Sequence, residues 1–162
     1  MKIACSEFTE LGSQMVLPLF EGVDKAPNNS LRGLSRSQRS LVRDALSSGG
    51  FDGKKGRRMT LWTPGCNIVL VGMGEKDSLG HKRARNTGAR LIASMSKKKG
   101  IDVTVRFTSG WSVKRMIDFA EGCYFGTTSS WSTKRHRRIT YLNLGTYLSK
   151  QARGIKSHWP EG

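Results

Sequence analysis

The residues best suited to catalysis in this chain are His81, His136 and His158 and the thiols Cys5, Cys66 and Cys123. A thiol nucleophile needs a base within hydrogen-bond reach, and a zinc site needs Cys and His ligands at short, paired spacing. Neither pattern occurs. The cysteines are odd in number and far apart, which predicts buried free thiols in a reducing compartment. The 12 acidic residues are scattered, with no cluster at the spacing two-metal hydrolysis requires. No catalytic residue, metal or cofactor is expected.

The stretch "VGMGEKD" offers a different chemistry. Gly72 and Gly74 end a strand and precede a helix, where backbone N–H groups could hold an anion. The third glycine of a dinucleotide fingerprint is missing, however. Asp77 stands there, and Glu75 adds further repulsion. A tight strand-to-helix turn is the expected role, with ADP-ribose or nucleotide binding as an alternative.

What remains is positive charge. Lys and Arg number 28 against 12 Asp and Glu, a formal charge of +16. Residues 1–50 hold 6 basic and 5 acidic side chains whereas residues 51–100 hold 12 and 3, so the excess is local rather than diffuse. Arg36, Arg39 and Arg43 fall within about 60° of arc on one helix. Lys82, Arg83, Arg85, Arg90 and Lys97 share the polar side of another, with no acidic residue between them. Lys54, Lys55, Arg57 and Arg58 crowd a Gly-flexible loop, and Lys97, Lys98 and Lys99 close a helix. Lys134, Arg135, Arg137 and Arg138 surround His136, and Lys150, Arg153 and Lys156 lie near the C-terminus.

Solvated helix faces ordinarily mix signs and gain i,i+4 pairs. Faces that give up those pairs suit a phosphate backbone, which arginine meets bidentately. Trp131, beside the 134–138 run, is a candidate for stacking on unpaired bases. Trp111 reads as a hydrophobic lid and Trp62 as core.

The elements that must position these groups alternate. "KIACSEF" and "MVLPLFEG" read as an opening hairpin, and "LSRSQRSLVRDAL" as a helix with Ser35 and Gln38 at capping-box spacing. Strands follow at "RRMTLW" and "NIVLVGMG", the second apolar enough to be buried on both faces. The helix from Leu79 to Lys98 turns Ala84, Gly88, Leu91, Ile92 and Met95 inward. "IDVTVRF" is a strand and "WSVKRMIDFAEGC" a helix capped by Ser112. "ITYLNLG" is the last strand.

The pattern predicts an α/β layered sandwich with a mixed sheet. One domain is expected over residues 1–145, followed by a basic C-terminal tail over 146–162. No run approaches the roughly 18 apolar residues of a membrane span, and the start lacks a signal pattern. A soluble, cytoplasmic protein is expected.

Three segments in register, "NIVLVGMGEKDSL", "RARNTGARLIASMSKKKGIDVTV" and "FAEGCYFGTT", resemble the non-catalytic N-terminal domain of the leucyl aminopeptidase family. That resemblance spans roughly residues 60–135 and implies a macro-domain-like, three-layer α/β/α fold with a mixed central sheet. Where the family carries aromatics, this chain has Thr128, Ser130 and Thr133, keeping only Lys134. The family's Asn-Thr-Asp-Ala-Glu-Gly-Arg-Leu peptidase signature does not occur in these residues, so aminopeptidase activity is not expected. Glu121, Gly122 and Gly126 then read as the remnant of a domain junction.

Charge and resemblance together predict a non-enzymatic RNA-binding protein, an rRNA-binding component of the ribosome whose partners are rRNA and neighbouring proteins. The alternatives are a DNA-binding nucleoid protein, a nucleotide-binding macro-like module, and a regulatory subunit that docks on an aminopeptidase.

Overall fold

The computed structural model describes residues 13–23, 31, 33–95, 103–108, 110–128 and 141–143. In chain order its elements are β1 (Gln14–Leu19), α1 (Arg36–Ser47), β2 (Arg58–Leu61), β3 (Asn67–Gly72), α2 (His81–Met95), β4 (Val103–Arg106), α3 (Val113–Thr128) and β5 (Tyr141–Asn143). The strands form one sheet in the order β2-β3-β1-β4-β5. β1 is parallel to β3 and to β4, β4 is parallel to β5, and β2 alone runs antiparallel, joined to β3 in a hairpin. The sheet is mixed, as the alternating pattern predicts.

Period-two alternation sends successive strand residues to opposite faces. Met15, Leu17, Leu19, Ile68 and Leu70 pack with Val42 and Leu46 of α1. Val16, Val69, Val71, Val103 and Val105 pack with Leu91, Ile92, Phe119 and Cys123 of α2 and α3. Two cores with the sheet between them make three layers. Because β1 and β3 are covered on both faces, their sequences are continuous apolar runs rather than alternating ones.

The expected opening hairpin does not involve β1. That strand is central, with β3 on one side and β4 on the other, so both of its edges are filled by parallel partners. "KIACSEF" lies outside the described residues.

The helices start where their caps lie. Ser35 accepts from the Gln38 backbone while the Gln38 side chain accepts from the Ser35 N–H, a complete capping box. Ser112 accepts from the Arg115 N–H at the start of α3. On α1, Val42 and Leu46 are buried as expected, but Leu41 is 44% exposed. α3 continues through the whole Glu-Gly-x-x-x-Gly segment to Thr128.

That continuation explains the glycines. A Cβ on Gly122 would stand 1.9 Å from the Arg85 carbonyl oxygen, and one on Gly126 2.4 Å from that of Ala89. From α2, a Cβ on Gly88 would meet the Phe119 carbonyl at 2.3 Å. The two backbones touch along a seam that only glycine fits. Within this chain Gly122 and Gly126 are packing residues.

Candidate functional site

The β3–α2 turn has the look of an anion cradle, but the N–H groups of its glycines are engaged. Gly72 N–H donates to the Arg57 carbonyl, Met73 N–H to Leu19 and Gly74 N–H to Gly53. The Gly72 carbonyl accepts from Gly56, and that of Gly74 from Glu21. A Cβ on Gly72 would lie 2.0 Å from the Lys54 carbonyl oxygen. The chain's own loop therefore fills the space a pyrophosphate would need. Gly72 and Gly74 form a tight turn, the first of the two roles open to them.

Asp52 anchors that loop. It accepts from the Lys54 backbone N–H at 3.1 Å and from the Arg57 guanidinium at 3.1 Å, with Lys54 Nζ at 3.6 Å. The Lys54 N–H, and then the Arg57 side chain, hold its carboxyl below the ordinary value. Arg57 and Lys54, read from the sequence as outward cations, have a carboxylate of their own.

A second network links α2 to α3. His81 Nδ1 bonds Asp118 Oδ2, while Arg85 lies 3.6 Å from Asp118 Oδ1 and 2.6 Å from Glu121 Oε2. The α2 face is free of acid only along its own sequence; α3 supplies two. Asp118 and Glu121 are three residues apart, so both sit on the flank of α3 that meets α2.

Lys82, Arg83, Arg90 and Arg58 meet no carboxylate among the described residues. Lys82 and Arg90 are exposed and enter no ion pair among the described residues. Arg83 donates to Ser78 Oγ at 2.8 Å and Arg58 to Ser94 Oγ at 2.7 Å, both neutral acceptors. Partial burial pushes the Arg58 guanidinium below its ordinary value. Arg36, Arg39 and Arg43 are exposed on α1, across the sheet from α2. Lys55 is exposed beside Gly74. The expected sites at Lys97, Lys98, Lys99, Trp131, Lys134, Arg135, Arg137, Arg138, Lys150, Arg153 and Lys156 lie outside the described residues, as does the predicted tail.

Trp62 is not core. It stands 71% exposed in the β2–β3 turn, because β2 is an edge strand and the chain leaves the sheet there. Trp111 is the expected lid: buried, its indole N–H donates to the Pro18 carbonyl, and its ring packs on Phe20, Phe107 and Phe119. Cys66 and Cys123 are buried free thiols, and burial pushes both upward from the ordinary value. Among the described residues no three His, Cys, Asp or Glu side chains converge as a metal site, and no helix is long and apolar enough to cross a membrane.

The sequence reading missed the α2–α3 seam and its ion pairs. A signal for the first was present in the small residues of both helices: Gly122 and Gly126 of α3 approach the backbone of Arg85 and Ala89, and Gly88 of α2 approaches that of Phe119.

Residues 16–131 match the family model described as the cytosol aminopeptidase family, N-terminal domain. Among solved structures, a tomato leucine aminopeptidase mutant matches with a TM-score of 0.61 at 24% identity, over 96% of this chain. The chain spans only 35% of that protein's length, and the likeness concerns the fold. No curated protein matches in sequence. These matches overturn the expectation of an rRNA-binding ribosomal protein, and with it RNA as the partner and the ribosome as the location. The match is to a peptidase-family domain. Part of the charge attributed to phosphate contact, on Arg85, Arg57 and Lys54, is neutralised within the fold.

Proposed function

Since this chain belongs to the cytosol aminopeptidase family through its N-terminal domain, we propose that it is a non-catalytic module that docks on an aminopeptidase and regulates it. The observation that carries this reading is the extent of the likeness. The family match covers residues 16–131 and concerns the N-terminal domain, and the fold likeness takes in 96% of this chain but 35% of a leucine aminopeptidase. On this reading the domain contributes surface rather than reactive groups, and hydrolysis belongs to the partner. The two closed cores and the filled Gly72–Gly74 turn fit that role, since they leave exposed side chains as the means of recognition.

The test is affinity capture of the full tagged chain from its own cells, with nuclease treatment of the eluate. An aminopeptidase, identified by mass and by hydrolysis of a leucyl anilide, is expected in fixed stoichiometry, with kcat/KM altered by the bound chain. An eluate without that activity after nuclease, or a bound enzyme whose kinetics ignore the chain, refutes the reading.

A further inference from the structure

The fold sorts its cations into two groups, a division that composition does not make. Arg85 meets carboxylates of α3, and Arg57 and Lys54 meet Asp52 of their own loop. Lys82, Arg83 and Arg90 do not, although they belong to the same helix as Arg85. At 100° per residue the buried side of α2 is defined by Ala84, Gly88, Leu91, Ile92 and Met95. Lys82, Asn86 and Arg90 follow one another along the opposite crest, and Arg83 lies on its flank. Arg58 reaches the same helix from edge strand β2 by its bond to Ser94, one turn beyond Arg90.

The result is a ridge of four cations drawn from two elements, and none of them meets an acidic residue among the described residues. Mutual repulsion along such a ridge works against folding. Acids on α3 were available to relieve it, yet they serve only Arg85 and His81.

We propose that the α2 crest of Lys82, Arg83 and Arg90, extended by Arg58, is the face that binds the aminopeptidase, through an acidic surface of that enzyme. The inference rests on the docking reading above and names the surface that does the docking. Charge complementarity selects the partner's chemistry. Carboxylates meet guanidinium groups in paired hydrogen bonds and lysine as a point charge. A second copy of this chain is disfavoured as occupant, because two copies of +16 repel one another. Steering by exposed charges acts chiefly on association and is screened by salt.

The test compares three full-length proteins as baits for the aminopeptidase. One is the parent chain. The second carries Lys82→Glu, Arg83→Glu and Arg90→Glu. The third carries Arg36→Glu, Arg39→Glu and Arg43→Glu, the same change of net charge on the opposite layer. The crest variant is expected to weaken binding about tenfold or more, since three exposed attractions become repulsions. The α1 variant should bind like the parent, and parental affinity should fall between about 50 and 300 mM salt. Should the crest variant lose its circular-dichroism signature, the double variant Lys82→Glu with Arg90→Glu, both exposed, replaces it. Equal retention by parent and crest variant overturns the crest while leaving the docking reading intact. Equal loss in both variants shows a net-charge effect and also overturns it. A parent that retains no aminopeptidase refutes the docking reading and the crest together, and retention abolished by nuclease assigns the ridge to nucleic acid instead.

Discussion

Gly122 shows how little room one residue can have. Alanine there gains about 1 kcal/mol of helix propensity, but its Cβ would lie 1.9 Å from a backbone carbonyl that cannot rotate away. Separating α2 from α3 costs more, so Gly122→Ala should lower stability by about 1 to 2 kcal/mol net in urea unfolding. A stability gain would mean that the helices are not in backbone contact. The thiols make a second prediction. Cys123 is fully buried and its folded value is raised above the ordinary 9.0, and that of Cys66 is raised as well. Above about pH 9 the unfolded chain releases thiol protons that the folded chain retains, so stability falls as pH rises. The melting temperature should drop between pH 8 and 10, and Cys123→Ala should flatten that slope. The sequence predicted both thiols as buried and free, because small apolar side chains without nearby ligands have few other uses. It did not predict what Gly122 touches, since that depends on which helix lies opposite.

At the scale of elements, α1 is held by local and long-range bonds through one side chain. Gln38 closes the capping box and also donates to Thr63 Oγ1 at 2.9 Å and to the Pro64 carbonyl at 3.3 Å. Ser35→Ala removes only the local part and should cost about 1 kcal/mol. Gln38→Ala should cost more, because it also frees the β2–β3 turn; equal losses in thermal unfolding would deny that link. The box was legible because a hydroxyl and an amide three residues apart act within one turn. The contact with Thr63 was not, being 25 residues distant. Helix α2 follows the same division. Its inward stripe is a matter of period and could be read directly, whereas the pairing of Arg85 with Glu121 needed the neighbouring helix. That pair is about half exposed, so Arg85→Ala should cost less than about 1 kcal/mol, a small effect beside the seam.

For the whole molecule, charge opposes compaction. A formal +16 on 162 residues, with few internal ion pairs among the described residues, leaves the folded state repelling itself. Raising salt from low levels to about 0.3 M shortens the range of that repulsion, so the melting temperature should climb. A fall over the same range would show that attractive pairs outweigh repulsive ones. The same charge led sequence reasoning to RNA, because composition reports how many cations exist and not what they face.

Period and punctuation along the chain were enough to predict the α/β alternation, the mixed sheet, two of the helix caps and the inward stripe of α2, since each depends on interactions within a few residues. The family resemblance rested on motifs of that same short range. The tertiary structure alone decided that β1 lies in the middle of the sheet, that Trp62 stands in solvent, that a loop fills the Gly72–Gly74 turn, and which cations are neutralised. The place of β1 and the pairing of Arg85 with Glu121 are contacts between segments tens of residues apart, and such contacts exist only once the layers have closed on one another.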